Sequence, residues 1–432
     1  MILSVLGCDP EPEPAIATWA RASGPIEHSA YVWQRGWGGS ERAVEAAVEQ
    51  RGAAFAELLV LAAEIDPEGR DVEVEWDADA LARSGARVGL VVRVGPWSFG
   101  GPDRVRARLI ATAIAQLERA RAAGLDVVEL QIDFDAASRS LADYREWLLA
   151  LRAALAERPD DRELALTITA LPDWLARPEL PALLADVDGW VLQVHSLMPP
   201  TRAGTRELID PEAARAAVER AATLGRPFRV ALPTHHYLVA RDSGSLLVEA
   251  PARARLAAEQ APADPSRERF DRAGPDPDAL AELIAEWTDD RPRELIGVVW
   301  FRLPVAGDRM AWSWPTLHAV MAGRAPIEAL ALEVCSRDAT LHELALINQG
   351  EADVWTSELA ALHVLADHPL LAHDALAGFV AHEHDDALTI EAGSHRRLAP
   401  GESLAIGWLR FEGPTTPSFD MPTIPCTRKD SP

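Results

Sequence analysis

The segment Val128-Glu129-Leu130-Gln131-Ile132-Asp133-Phe134-Asp135 alternates apolar and polar side chains without a break. Successive side chains of a β-strand point to opposite faces, so the apolar residues share one face and the polar residues share the other. Buried carboxylates are costly unless they are paired or hydrogen-bonded, so a strand face carrying three of them needs a functional reason. An edge strand with one face in water is the alternative, but parallel strands between helices are usually covered on both faces.

Seven further strand candidates accompany this segment, and most are separated by helical segments rich in alanine, leucine and arginine. The eight candidates are Ala30–Gln34, Ala56–Ile65, Arg87–Gly95, Asp126–Asp135, Glu163–Ala170, Gly189–His195, Pro227–Thr234 and Glu294–Leu303. Strands that alternate with helices of this length form parallel βαβ units. Eight such units match a closed (β/α)8 TIM barrel better than an open sheet, so we predict an α/β barrel over residues 28–324.

The remaining segments differ from the barrel in composition. Residues 1–27 predict an N-terminal tether, and the charged, proline-rich stretch near 241–277 predicts an insertion after the seventh strand. Short alternating segments separated by turns predict a small antiparallel, sandwich-like β domain over residues 325–412. The abundance of proline, serine and threonine predicts a disordered tail over residues 413–432.

The overall composition excludes several classes of protein. With 67 acidic and 42 basic residues the net charge is -25, which argues against a nucleic-acid partner because phosphate backbones would be repelled. A total of 432 residues favours one large and one small domain. Because there are only three cysteines, we expect neither a disulfide scaffold nor a thiolate metal site.

The N-terminus leaves two interpretations open. Val5-Leu6-Gly7-Cys8 resembles a bacterial lipobox, and the acidic, proline-rich residues 9–14 suit a flexible tether. Only seven residues precede Cys8, and they lack the basic region and the full apolar segment of a signal peptide. The chain is therefore expected either in the cell envelope with a lipid anchor at Cys8 or in the cytoplasm.

Polar and aromatic side chains occur near the carboxyl ends of the predicted strands, which in a barrel meet at one mouth. Asp133 and Asp135 are the predicted catalytic residues, because crowded carboxylates tend to hold one proton between them and glycosidic cleavage needs one acid and one base. Asp135 would be the general acid, and Asp133 would set its pKa or act as the base. The predicted substrate-binding residues, with Trp300 as the floor, are Trp33, Glu64, Arg93, Glu129, Gln131, Gln193, His195, His236, Trp300 and Arg302.

The predicted function is that of a carbohydrate-active barrel, a glycoside hydrolase acting on an oligosaccharide or polysaccharide, with no cofactor or metal. One alternative is a non-catalytic glycan-binding protein of the cell surface. A second is a metal-dependent hydrolase, although the acidic and histidine residues show no established ligand spacing. Its ligands would be Asp133, Asp135, Glu64 and His195.

Motifs at seven of the eight strand ends resemble the bacterial family labelled domain of unknown function 3142. They are Tyr31-Val32-Trp33-Gln34-Arg35, Leu61-Ala62-Ala63-Glu64-Ile65, Gln131-Ile132-Asp133-Phe134-Asp135, Thr169-Ala170-Leu171-Pro172-Asp173-Trp174, Val191-Leu192-Gln193-Val194-His195, Ala231-Leu232-Pro233-Thr234 and Val299-Trp300-Phe301-Arg302-Leu303-Pro304. The resemblance implies a barrel related to the barrel glycosidases.

A more distant resemblance is to the family eighteen chitinases, whose fourth strand carries Asp-x-Asp-x-Glu. Gln131, Asp133 and Asp135 stand at those places here, so an aspartate replaces the acid glutamate of that family.

Overall fold

The computed structural model describes most of the chain. The described residues are 20–37, 42–66, 69–72, 74–95, 102–158, 163–195, 208–240, 246–247, 270–384, 387–393 and 396–426. Cys8 and its tether sequence lie outside these ranges, as do most of the predicted 241–277 insertion and the last six residues of the predicted tail.

Eight parallel strands close into a barrel, as the sequence predicts. They are β1 Glu27–Val32, β2 Glu57–Ile65, β3 Arg87–Val94, β4 Glu129–Phe134, β5 Ala165–Ala170, β6 Gly189–Gln193, β7 Phe228–Pro233 and β8 Leu295–Phe301. Each strand pairs with the next, and β8 pairs with β1 to complete the ring. The (β/α)8 fold class is thus confirmed.

Helices lie between successive strands and follow the last one. They are α1 Ala43–Arg51, α2 Ala78–Arg83, α3 Pro102–Ala122, α4 Leu141–Ala156, α5 Leu180–Ala185, α6 Pro211–Ala222, α7 Pro277–Asp289 and α8 Trp314–Met321. Asp77, Asp210 and Asp276 cap α2, α6 and α7 by accepting backbone N–H hydrogen bonds, which fixes where those helices begin. None of the helices within the described ranges is long and apolar enough to cross a membrane.

The alternation of β4 sorts its side chains between two layers. Leu130, Ile132 and Phe134 are buried in the large apolar core that includes side chains of the surrounding helices. A smaller cluster inside the barrel includes Tyr31, Trp33, Leu59, Leu61 and Val91. The polar face of β4 therefore points into the barrel, as predicted.

Short strands lie outside the barrel ring. Arg21–Ala22 pairs with Arg291–Pro292, so part of the predicted tether is a strand, and β1 begins at Glu27. After β7, Tyr237–Ala240 pairs with Leu246–Leu247 and Phe270–Ala273 in an antiparallel sheet.

The small C-terminal domain is built from antiparallel sheets, which confirms its predicted class. Its strands are β9 Leu330–Ser336, β10 Leu341–Asn348, β11 Val354–Trp355, β12 Leu362–Leu365, β13 Leu370–Ala375, β14 Phe379–His384, β15 Ala387–Ala392, β16 Arg397–Leu398, β17 Ser403–Phe411, β18 Ser418–Phe419 and β19 Thr423–Pro425. A five-stranded sheet (β13-β17-β10-β9-β19) and a four-stranded sheet (β14-β15-β12-β18) contribute apolar side chains to one core.

Two expectations about the C-terminus need correction. The strands β18 and β19 pair with β12 and β9, so the predicted disordered tail is ordered as far as residue 426. Cys335 forms a disulfide with Cys426, although the odd number of cysteines led us to expect no disulfide scaffold. An odd count excludes complete pairing but leaves room for a single bridge, and this one fixes β19 to β9.

Candidate active site

A cavity of about 440 Å³ opens at the carboxyl ends of the barrel strands. Its lining combines carboxylates, arginines, histidines and aromatic rings. The lining residues are Tyr31, Trp33, Arg35, Arg93, Asp133, Asp135, Thr169, Gln193, His195, Ala231, His235, Tyr237, Phe301 and Arg302. Seven of the twelve predicted site residues are among them: Trp33, Arg93, Asp133, Asp135, Gln193, His195 and Arg302.

Asp133 is the deeper of the two cavity carboxylates. It is the inward residue near the end of β4, and its Oδ1 accepts a hydrogen bond of 2.7 Å from the Thr169 hydroxyl. Burial raises the pKa of Asp133 to about 6, and the nearby charge of Asp135 adds to the rise. The guanidinium of Arg93, with Nε 3.9 Å from Asp133 Oδ2, opposes it.

Asp135 lies beyond the end of β4 and is exposed toward the cavity mouth. Its pKa is also raised, because the surrounding protein disfavours its charged form, and Arg93 again opposes the rise. Asp133 and Asp135, called the acidic pair below, are thus two neighbouring carboxyl groups whose environments favour retention of a proton.

Arg93 lies between two carboxylates in the strand register. Glu64 of β2, Arg93 of β3 and Asp133 of β4 stand side by side across neighbouring strands. Glu64 Oε1 is 3.6 Å from Arg93 Nη1, and its Oε2 accepts a 2.9 Å hydrogen bond from Arg35 Nε. Glu64 does not line the cavity, and its position supports the two arginines that do.

Three aromatic rings form one wall of the cavity. Tyr31, Trp33 and Phe301 meet edge to face, with centroids 5.1 to 5.8 Å apart. Such packing holds each ring in one orientation. The wall therefore offers a rigid apolar surface to a ligand.

Two histidines lie against Phe301. His195 stacks on its ring with centroids 5.5 Å apart, and His235 Nδ1 lies 3.2 Å from its carbonyl oxygen. Burial lowers the pKa of His235 to about 4 and lowers that of His195 well below its usual value. Both rings are therefore neutral near pH 7. Because the Phe301 carbonyl can only accept, His235 carries its proton on Nδ1.

Trp300 and His236, two predicted binding residues, do not reach the cavity. Trp300 is fully buried in the outer core, where its Nε1 lies 3.2 Å from His28 Nδ1, so it is not the floor of the site. His236 packs edge to face on Trp355 of the small domain, and a Cβ on Gly274 would lie 1.7 Å from its Nδ1. His236 is therefore enclosed between the small domain and the segment after Ala273.

Glu129 and Gln131 lie inside the barrel but below the cavity. Glu129 forms a buried group with Glu57 and Arg229, called the lower cluster below. Gln131 accepts a 2.7 Å hydrogen bond from the Tyr31 hydroxyl and donates to Glu129. These contacts give both residues a structural role, which corrects the prediction that they bind substrate.

Seven lining residues are not among the predicted site residues: Tyr31, Arg35, Thr169, Ala231, His235, Tyr237 and Phe301. Phe301 follows the inward residue Val299 by two positions, so strict alternation along β8 would have identified it. Thr169 similarly follows Thr167 on β5. Tyr237 lies beyond the end of β7, where no strand periodicity could indicate its direction.

The predicted metal ligands do not gather into a coordination group. Within the described ranges, one set of three potential ligands lies within 4.8 Å, and it consists of Glu333, Cys335 and Cys426. The two sulfur atoms of that set are joined in the disulfide.

The chain is similar in structure to several solved proteins of low sequence identity. Solved structures with similar architecture include the spore cortex-lytic enzyme SleL of Bacillus megaterium, with 13% identity over 70% of this chain and 75% of the other, at a TM-score of 0.48. A chitinase of Chromobacterium violaceum shows 16% identity over 69% and 98%, at a TM-score of 0.46. The family eighteen chitinase ChiB of Flavobacterium johnsoniae shows 13% identity over 70% and 94%, also at 0.46. No curated protein matches the chain.

Two family models match separate parts of the chain. Residues 332–412, in the small domain, match the family described as domain of unknown function 8456. Residues 98–306, which span most of the barrel, match the family described as domain of unknown function 3142. This match confirms the family resemblance, and five of the seven strand-end motifs lie within it, while the motifs at residues 31–35 and 61–65 precede it.

Proposed function

We propose that this chain is a glycoside hydrolase that binds an oligosaccharide or polysaccharide at the barrel mouth. The acidic pair carries the proposal, since two adjacent carboxyl groups of raised pKa line a cavity of ligand size. Glycosidic cleavage uses one protonated and one ionised carboxyl group. A coupled pair whose first member has a pKa of about 6 retains a proton in part of the population near neutral pH.

The two carboxyl groups are suited to different roles. Asp135 is exposed toward the mouth and can pass the proton that the pair shares to the oxygen of the scissile bond. Asp133 is held by Thr169 and lies deeper, so it can set the proton affinity of Asp135 or act as the base. Arg93 lies close enough to lower the cost of a negative charge on the pair.

The rest of the cavity suits a sugar. The apolar face of a pyranose ring can pack on the rigid wall of Tyr31, Trp33 and Phe301. Gln193 and the neutral His195 can exchange hydrogen bonds with hydroxyl groups without the desolvation penalty of a charged group.

The test is a product assay over a panel of bacterial and plant polysaccharides. Wild type should release new reducing ends from at least one polymer, and Asp135→Asn should lower the rate at least 100-fold, since general acid catalysis contributes about 10²–10⁴-fold. Asp133→Asn should lower it as well. The matched control is Asp126→Asn, because Asp126 is exposed in the turn before β4, at the opposite end of the barrel from the cavity.

Each outcome of the assay separates the candidate functions. Hydrolysis unaffected by either aspartate substitution would contradict the assigned roles. Saturable binding of one polymer without any products would favour the glycan-binding alternative, and activity that disappears with a chelator would favour the metal-dependent one.

We also propose that the chain folds in an oxidising compartment such as the cell envelope. Disulfides persist in exported proteins and are rare in the cytosol, and the Cys335–Cys426 bridge links residues 91 positions apart. Protein isolated from its natural host without reductant and then denatured should show two fewer reactive thiols than after reduction, because the bridge holds two of the three cysteines. Three thiols before reduction would contradict the proposal.

A further inference from the structure

A second cavity of about 310 Å³ adjoins the first. It lies between Gln34–Arg35, which follow β1, and the segment 305–310, which follows β8. The two cavities share Arg35 and Arg302, whose side chains stand on the boundary between them. A ligand that extends from the acidic pair into the second cavity therefore passes the guanidinium groups of both arginines.

The shared arginines are held in place by acids. Arg35 Nε donates to Glu64 Oε2 at 2.9 Å, and Arg302 Nη2 donates to Asp308 Oδ2 at 2.6 Å. A guanidinium fixed in this way presents planar N–H donors in a set direction, which suits recognition of ligand oxygens.

The wall formed by the 305–310 segment is also fixed. Asp308 accepts a backbone hydrogen bond from Met310 through Oδ1, and its own N–H donates to the Val305 carbonyl at 3.1 Å. The Met310 carbonyl accepts from the backbone of His236 at 2.7 Å. The second cavity is thus a formed feature of the barrel mouth, built from both edges of the β1–β8 junction.

We propose that this second cavity is a saccharide subsite, so that the substrate is a chain occupying at least two adjacent sites across Arg35 and Arg302. The inference rests on the proposed function, because it assumes that the first cavity binds a sugar. Both volumes fall near or within the range of about 300–1,000 Å³ typical of ligand pockets, so each is large enough for its own part of the ligand. A single sugar in the first cavity would leave the second cavity unused.

Affinity as a function of chain length tests the proposal. The probes are gluco-, xylo-, manno- and chito-oligosaccharides of one to six residues, titrated calorimetrically into full-length Asp135→Asn protein so that hydrolysis does not consume them. Affinity should rise at least tenfold from one residue to three in the series that binds. Ala306→Trp should abolish that gain, because Ala306 is an exposed residue of the second cavity that the indole would fill.

Two further variants control for the bulk of the substitution. Ala306→Arg blocks the same space with a different side chain, and Ala339→Trp adds an indole at an exposed turn of the small domain. Loss of the length-dependent gain in both Ala306 variants, with the gain kept in Ala339→Trp, supports the subsite. A length-dependent gain that survives in both Ala306 variants, or a monosaccharide bound as tightly as its oligomers, overturns the subsite alone. Failure of every probe to bind at any length overturns the proposed function together with it.

Discussion

The barrel interior contains two groups of charged residues on the same strands, and their surroundings differ. Glu129 and Asp133 both belong to the inner face of β4, four positions apart. Glu129 lies in the lower cluster with Glu57 and Arg229, whose side chains are largely buried. Asp133 lies in the acidic pair, next to an open cavity.

The members of the lower cluster are held mainly by contacts with one another, although Glu57 Oε1 is buried without a hydrogen-bond partner among the described residues. Glu129 Oε1 accepts hydrogen bonds from Arg229 Nη2 and Thr167 Oγ1, both at 2.5 Å. Arg229 Nη1 also donates to Glu57 Oε2 at 3.2 Å. Gly89 makes room for the cluster, since a Cβ there would lie 2.9 Å from Glu57 Oε1.

The acidic pair has fewer partners. Asp133 accepts one short hydrogen bond, from Thr169, and its nearest cation is 3.9 Å away. Buried polar groups that form hydrogen bonds with other groups of the protein stabilise the fold. Polar groups that line a cavity can instead form hydrogen bonds with a ligand. We therefore infer that the lower cluster serves stability and the acidic pair serves chemistry.

The largest expected effect comes from removing the cation of the lower cluster. Arg229→Met leaves two carboxylates in the barrel interior without their shared cation, and breaking a buried ion pair costs about 3–5 kcal/mol. The measurement is the free energy of unfolding of the barrel in urea, monitored by tryptophan fluorescence.

Arg93→Met is the matched control beside the acidic pair. The Arg93 side chain is 34% exposed and makes only longer ion pairs, so the loss should stay below about 1 kcal/mol. Equal losses for the two substitutions would remove the distinction between the clusters.

The titration of Glu57 should have a smaller effect on the free energy of unfolding. Burial, followed by the like charge of Glu129, raises the pKa of Glu57 from 4.5 to about 7, while Arg229 opposes the rise. The native state then holds a proton that the unfolded chain releases, so this contribution is present below pH 4.5 and is lost as the pH rises to about 7. The loss is on the order of 3 kcal/mol, at about 1.4 kcal/mol per pKa unit.

Glu57→Gln tests this assignment, because the glutamine side chain has nearly the same shape as that of glutamate but no titratable group. Unfolding free energies measured from pH 4.5 to 8 should decline less steeply for the variant than for wild type. If the unfolding free energies of the variant and of wild type decline equally with pH, a group other than Glu57 holds the proton.

The distinction between the clusters could be predicted only in part from the sequence. Alternation along β4 shows that Glu129 and Asp133 face inward, and it also predicts the outward position of Ile132. It cannot show that the layer of Glu129 is closed by Arg229, because that contact joins strands 100 residues apart.

Prediction also becomes unreliable where a strand ends. Trp300 and Arg302 are two positions apart and would share a face in a continuous strand, but β8 ends at Phe301. Beyond that residue the backbone no longer alternates, so Arg302 reaches the cavity while Trp300 packs outward. His235 and His236 follow β7 in the same way, and the sequence offered no means of choosing between them. The Cys335–Cys426 bridge likewise depends on the pairing of β9 with β19, which no local pattern encodes.

The smallest expected effect is the change in the free energy of unfolding when one carboxylate of either cluster is replaced by its amide. It is also the sharpest test, because this change should have opposite signs in the two clusters. Burial raises the pKa of Asp133 from 3.8 to about 6, so its charged form destabilises the native state at higher pH. Asp133→Asn removes that charge and should stabilise the protein by at most about 3 kcal/mol at pH 8, at about 1.4 kcal/mol per pKa unit, with the gain vanishing toward pH 4. Glu129→Gln should instead destabilise it at every pH in that range, because Arg229 loses the carboxylate to which it donates. Thermal and urea unfolding of both variants at pH 4, 6 and 8 provides the comparison.

A stability loss in Asp133→Asn that matches the loss in Glu129→Gln would mean that Asp133, too, is held for stability, and the catalytic role of the acidic pair would lose its physical basis.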